Sequence, residues 1–158
     1  MPHLNVFVHL AYGTAGRQAA ILGLTWDRVN FERNKIDLED RGIAVPHKGR
    51  AIVPMTKTLA AVLQEAMLGS LSNYVIEWRG KRVKSVKKGL AFAARRAGIK
   101  HVSAHMLRHS AAVRMAEAGV PMEEIASYLG HSEVKVTRQI YARFSPDYLR
   151  GAASHLGL

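Results

Sequence analysis

The densest chemistry in the chain lies in His105-Met106-Leu107-Arg108-His109. On a helix, His105 and Arg108 stand at i and i+3 and share a face. An arginine there presents a planar, permanently charged fork that suits a phosphate or a carboxylate. An imidazole beside it exchanges protons near neutral pH. The pair would make an anion clamp, although an isolated His-x-x-Arg is far more often a solvated helix surface. Twenty-six residues after His105 comes the corner Leu129-Gly130-His131-Ser132, where the glycine ends one helix and the serine can start another. Ten residues after His131, Tyr141 lies within Ile140-Tyr141-Ala142-Arg143-Phe144. Alone, it reads as a core residue with its hydroxyl at the surface. His101, His105 and His109 also repeat at i, i+4, i+8, a spacing that suggests zinc. Ser103-Ala104 places His101 ahead of the helix, and no other ligand type is near. The phosphate reading is therefore preferred, and no metal site is expected.

These residues need elements to hold them. Residues 4–12 read as a short buried helix, broken by Gly13-Thr14-Ala15-Gly16. Thr14 can cap a second helix carrying Ile21, Leu22 and Leu24, which Trp26-Asp27 ends. The period then becomes that of a strand, with Val29–Phe31 and Lys35–Leu38 as one run, Ile43–Val45 as a second and Ala51–Pro54 as a third. Pro46-His47-Lys48-Gly49 is a turn. The three runs predict a small antiparallel meander.

From Thr56 the pattern is helical, with Leu59, Val62, Leu63, Ala66 and Met67 on one face. Residues 74–78 suggest a short strand. Arg79–Lys88 is strongly basic, and an amphipathic helix then runs to about Ala97 with Gly98 as its stop. Ser103 caps a helix over 104–117 closed by Gly119. Pro121 opens another that ends at Gly130, Ser132 caps the next through about Tyr141, and a short helix follows Ser145-Pro146. Trp26, Trp78, Phe31 and Phe92 sit in apolar patterns and are read as core. The fold class is α+β, mainly α-helical, with one small three-stranded antiparallel sheet.

Composition bounds the partners. The chain has 158 residues, 23 Lys and Arg against 12 Asp and Glu, and a formal net charge of +11. At 48% apolar and 22% charged it reads as one globular domain rather than a disordered tail. The absence of cysteine excludes disulfides, thiolate metal sites and a thiol nucleophile. The sequence shows no signal-peptide pattern and no apolar run of spanning length, so a soluble cytoplasmic protein with no membrane partner is expected. The positive charge favours a polyanion, most commonly nucleic acid. The run Arg79, Lys81, Arg82, Lys84, Lys87 and Lys88 is either a solubilising face or one that also touches DNA phosphates without regard to sequence.

Taken together, His-x-x-Arg, the Leu-Gly-His corner and a tyrosine ten residues on resemble the tyrosine recombinase (phage integrase) catalytic domain. Gly13-Thr14-Ala15-Gly16-Arg17 with Ile21-Leu22, Leu24, Trp26-Asp27 and Val29 resembles the family's first arginine box. Lys48, in a turn between strands and followed by Val53-Pro54, matches its lysine. The resemblance spans about residues 4–150 and fills six positions: Arg17, Lys48, His105, Arg108, His131 and Tyr141. It implies the helical fold of DNA breaking-rejoining enzymes and a single catalytic domain over 1–158, without the family's N-terminal DNA-clamping domain.

The activity it implies is site-specific cleavage and rejoining of double-stranded DNA through a 3′-phosphotyrosyl link. Tyr141 would be the nucleophile and Arg17 and Arg108 would hold the phosphate oxygens. His131 would hydrogen-bond the phosphate, His105 would assist the phenol's proton, and Lys48 would protonate the leaving 5′-oxygen. A phenol of pKa about 10 needs such cations around it. Fixed charges around the phosphate are usually the largest contribution in such catalysis. The covalent link conserves the bond, so neither metal, nucleotide nor small-molecule substrate is implied. The implied partner besides DNA is the chain itself, as a tetramer in the synapse. The C-terminal tail with Tyr148 and Leu149, too poor in apolar residues to stand alone, would dock on a neighbouring protomer. The implied setting is bacterial or phage-encoded and nucleoid-associated.

Ala20 stands where the family usually has an acidic residue, which bears on how Arg17 is oriented. A non-catalytic relative that occupies recombination sites without cutting remains the alternative, and a type IB topoisomerase a third.

Overall fold

The computed structural model describes residues 2–38 and 51–156. The first helix, α1 (Pro2–Thr14), buries Leu4, Phe7, Leu10, Ala11 and Thr14, a stripe at three- and four-residue spacing. It lies against α3 (Lys57–Leu68) and α5 (Ala104–Glu117). Thr56 caps α3 by accepting from the Leu59 N–H, and Ser103 caps α5 by accepting from the Met106 N–H. Thr14 does not cap the second helix. α1 continues through it, and its hydroxyl donates to the Leu10 carbonyl and accepts from the Gly16 N–H. Helix α2 is only Gln18–Leu22 with Arg17 at its N-cap, and Trp26–Arg28 is a separate 3-10 turn.

The three-stranded antiparallel sheet is present, with a different division of strands. The first run folds back on itself as β1 (Val29–Asn30) and β2 (Lys35–Asp37), and β3 (Ile52–Pro54) pairs on the far side of β2. Asn34, at φ +50°, supplies the left-handed residue of the turn that this reversal needs. Val29, Ile36 and Val53 sit side by side across the strands and are buried. Residues 43–45, expected as a strand, and the turn with Lys48 lie outside the described residues.

Residues 74–78 split into an isolated bridge between Tyr74 and Thr25 and the short strand β4 (Glu77–Trp78), paired with β5 (Lys81–Arg82). Arg79 and Gly80 between them have φ +53° and +77°, a two-residue turn of the mirror-image kind that suits hairpin twist. The basic run therefore begins as a hairpin, continues through Lys84, and reaches the first turn of α4 (Lys87–Arg96). Trp78 and Phe92 are about half exposed and are not core, because hairpin and helix turn them outward, while Trp26 and Phe31 pack against the core.

The chain closes with α6 (Met122–Leu129), α7 (Val134–Tyr141), a 3-10 turn over Ala142–Phe144 and α8 (Arg150–Ser154). α7 starts with Glu133 rather than Ser132 at its N-cap, so the serine makes no cap. Two apolar clusters result. The larger joins α1, α2, the sheet, α3 and α4. The smaller holds Ala15, Ala111, Ala112, Ala116, Ile125, Leu129 and Tyr141.

Gly16 lies where the two clusters meet. A Cβ there would stand 2.9 Å from Leu38 Cδ1, 3.0 Å from Thr14 Oγ1 and 3.1 Å from Ile21 Cγ1. Gly16→Ala is expected to cost about 1–3 kcal/mol, the usual range for overpacking. It should appear as a lower urea midpoint at unchanged slope. Gly69→Ala, which meets nothing within 4 Å, should leave the unfolding free energy within about 0.5 kcal/mol.

Candidate active site

Helix α5 buries Ala104, Ala111, Ala112 and Ala116, and among these small residues one charged side chain, Arg108. Arg108 is 8% exposed, and its guanidinium is held by two separate pieces of chain. Nη1 donates to the carbonyl of Ala15 in the turn after α1. Nη2 donates to the Leu129 carbonyl at 2.8 Å and stands 3.2 Å from His131 Nε2. The Leu129–His131 corner is set by Gly130, which ends α6 in the left-handed conformation at φ +64°. The far nitrogen of His131, Nδ1, lies 2.8 Å from Oγ1 of Thr137, which is fully buried.

The turn that carries Arg17 is fixed from two sides. Tyr128 donates its hydroxyl to the Gly13 carbonyl at 2.7 Å, and Arg108 holds the next carbonyl but one, at Ala15. Ala15 is buried with φ +49°, an uncommon conformation for a residue with a Cβ. Arg17 follows, extended in backbone and exposed in side chain. Its guanidinium has no hydrogen-bond partner among the described residues. Ala20, where an acid would stand, offers none and packs against the core instead.

Electrostatics join the groups that these segments bring together. Burial first, and the Arg17 charge second, lower the pKa of Arg108 to about 10, while Tyr141 opposes the shift. Burial lowers the pKa of His131, and Arg108 and Arg17 lower it further. Burial raises the pKa of Tyr141, with Arg108 pulling it back. Arg108 is thus the group whose charge reaches Arg17, His131 and Tyr141, and His131 also feels Arg17. Two cations that repel each other, with no ion-paired carboxylate among the described residues, are relieved by an incoming anion. A tetrahedral phosphate suits the arginine forks. Tyr141 ends α7 at 5% exposure, its ring in the smaller cluster and beside His109 at 5.4 Å between centroids.

The other sequence-derived positions are placed differently. His105 is exposed one turn before Arg108, with no contact to Tyr141 among the described residues. Lys48 lies outside them. His101 precedes α5, so the three histidines do not share its face. Among the described residues no group of three or more His, Cys, Asp or Glu could hold a metal. Arg79, Lys81, Lys84, Lys87 and Lys88 are exposed. Arg79 stacks over the Trp78 ring at 5.7 Å. Arg82 differs from the rest of the run: its Nε donates to the Leu22 carbonyl at 2.7 Å, and its guanidinium lies over Tyr74 at 5.5 Å. It fastens the hairpin to the end of α2. Sequence reasoning missed Thr137 and Tyr128. The only signal for Thr137 was a polar residue one helical turn before Tyr141, on its buried face.

The direction of the His131 shift sets a pH dependence. Its folded pKa lies below the ordinary 6.5, so the unfolded chain binds more protons between the two values. This stability is present above pH 6.5 and is lost as pH falls through the lowered value. Thermal melts from pH 7.5 to 5 should show falling midpoints, with a smaller fall in His131→Asn. The fall that remains in that variant includes the share of His3, also lowered by burial and the N-terminal charge.

The sequence profile described as the phage integrase family matches residues 2–147. A tyrosine recombinase XerC-like protein of Caldanaerobacter subterraneus is 25% identical over 97% of this chain and 49% of its own length. The tyrosine recombinase XerA of Thermococcus kodakarensis is 33% identical over 94% of this chain and 53% of its own. The chain spans about half the length of these curated relatives. Among solved structures, XerA recombinase superposes with a TM-score of 0.78 at 20% identity, covering 99% of this chain and 59% of that one. The catalytic domain of bacteriophage HP1 integrase gives 0.68 at 24% identity, covering 96% and 80%. The Tn1549 transposon integrase, in complex with circular intermediate DNA, gives 0.77 at 20% identity, covering 98% and 60%. By profile, by relatives and by the architecture it shares with these domains, the chain belongs to the phage integrase family of tyrosine recombinases.

Proposed function

We propose that this chain cleaves and rejoins DNA at specific sites through Tyr141. The observation that carries the proposal is the buried Arg108 guanidinium, which stands 3.2 Å from His131 Nε2 and feels the charges of Arg17 and Tyr141. The tyrosine oxygen attacks the scissile phosphorus and forms a 3′-phosphotyrosyl bond as the P–O5′ bond breaks. Arg17 and Arg108 take up the charge that develops on the non-bridging oxygens. His131 hydrogen-bonds the same phosphate. His105 accepts the phenol proton, which requires Tyr141 to move out of the smaller cluster toward α5's exposed face. Lys48 gives a proton to the departing 5′-oxygen. Attack by a 5′-hydroxyl reverses these steps, and no cofactor enters them.

Double-stranded DNA is the substrate. Arg79, Lys81, Lys84, Lys87 and Lys88 line one path for its backbone. Lys87 and Lys88 sit in the first turn of α4, where the helix dipole is already positive, which favours phosphate over any neighbouring cation. The 158 residues are read as one catalytic domain, with DNA clamping supplied by a separate domain. The setting is cytoplasmic, nucleoid-associated and bacterial or phage-encoded. Among the described residues, no helix is long and apolar enough to cross a membrane.

Self-association on DNA, up to a synaptic tetramer, would use the tail. α8 buries no residue, and Tyr148, Leu149 and Leu156 are exposed. An apolar groove of about 680 Å³ between α1, α3, α5 and α6, lined by Val8, Tyr12, Leu59, Met115 and Val120, would receive it from a second copy.

Two experiments test this reading. On a DNA substrate nicked beside the scissile phosphate, the protein should trap a covalent complex that resists denaturation, and Tyr141→Phe should trap none. A protein that binds the DNA without trapping is a non-catalytic relative, and relaxation of supercoils without strand exchange marks a topoisomerase. Deleting residues 146–158 should abolish self-association on DNA in sedimentation while single-copy binding persists. Unchanged association would remove the tail from the assembly.

A further inference from the structure

We infer that Thr137 is a positioning residue that fixes the proton and the ring orientation of His131 for the cleavage reaction. The inference rests on the activity proposed above and assigns the control of its histidine. A guanidinium only donates hydrogen bonds. Arg108 Nη2, 3.2 Å from His131 Nε2, therefore requires that nitrogen to be the acceptor. The imidazole proton then sits on Nδ1 and is donated to Thr137 Oγ1 at 2.8 Å. The opposite tautomer would set two N–H groups head to head at Nε2.

The placement is rigid on both sides. Thr137 is fully buried, and Thr137 and Tyr141 are the two buried residues of α7. They lie one helical turn apart, on the same face. One hydrogen bond thus joins the helix of the nucleophile to the corner that carries His131. His131 in turn lies against Arg108, whose guanidinium holds the turn that precedes Arg17. With the Nδ1 proton committed to Thr137, Nε2 is the nitrogen presented to Arg108. An arriving phosphate finds that nitrogen fixed in direction, able to accept from Arg108 or, once protonated, to donate to a phosphate oxygen. Without the hydroxyl the ring can rotate and its proton can sit on either nitrogen.

Thr137→Val keeps the volume and shape and removes the hydroxyl, and Thr137→Ser restores it. Long-range 1H–15N correlation spectra of 15N-histidine protein, with His131 assigned by its loss in His131→Asn, report which nitrogen carries the proton. The wild type and Thr137→Ser should show Nδ1 protonated, and Thr137→Val a shift toward Nε2. On the nicked substrate, Thr137→Val should trap covalent complex about tenfold more slowly, by analogy with the loss of partners that orient metal-bound histidines. DNA affinity should be unchanged and Thr137→Ser close to wild type. A wild type protonated on Nε2, or a Thr137→Val protein that keeps both tautomer and rate, overturns the inference. Should Thr137→Val not fold, Thr137→Ala takes its place in both measurements. A wild type that traps no complex defeats the proposed activity instead, and the spectra still decide the role of Thr137.

Discussion

A single buried guanidinium holds three parts of this chain in register. From α5, Arg108 reaches the turn after α1, 93 residues away, and the corner after α6, where the Leu129 carbonyl and the His131 ring lie 21 and 23 residues away. An arginine side chain offers five N–H groups. Two meet backbone carbonyls and a third faces the imidazole, which leaves two for an anion. The desolvation of Arg108 is tolerated because those carbonyls replace water, and the lowered pKa records what they do not replace. In the proposed reaction the group that bolts these segments together is also the one that meets the phosphate. The order of the pocket therefore depends on a charge that repels its neighbour Arg17.

The alanine stripe of α5 follows from that requirement. Small residues at 104, 111, 112 and 116 let neighbouring elements approach the helix axis closely enough for the arginine's fork to span them. The pocket lies between the two apolar clusters rather than inside either. The larger holds α1, α2 and the sheet, and the smaller holds Tyr141. Ala15, in the turn before Arg17, belongs to the smaller cluster. Ile21, at the end of α2, belongs to the larger. The turn that bears Arg17 therefore crosses the boundary.

Much of the helical order was readable from periodicity and punctuation. Ser103, Thr56, Gly98, Gly119 and Gly130 stand where capping and left-handed geometry require them. What was not readable depended on tertiary contact. Thr14 looked like a helix start because Ser and Thr are favoured there, yet its hydroxyl turns back to Leu10 and lengthens α1. The run 29–38 alternates as one strand would, and only the tight turn ending at Asn34 reveals a hairpin. Trp78 and Phe92 follow apolar patterns but sit on a hairpin and a helix that need only one covered face. In the candidate site, Arg108, His131 and Tyr141 were singled out through the family resemblance that their order carries, since alone each reads as an ordinary surface or core residue. The roles of Thr137 and Tyr128 were not, because a buried hydroxyl carries no signal until its partner, 6 or 115 residues away, is known.

Arg82 has a mechanical consequence. It rivets the basic hairpin to the last turn of α2, and Arg17 stands at that helix's other end. Five residues of helix form a strut only about 7.5 Å long, too short to bend. The basic hairpin and the backbone of Arg17 are therefore mounted on opposite ends of one short, stiff piece of chain.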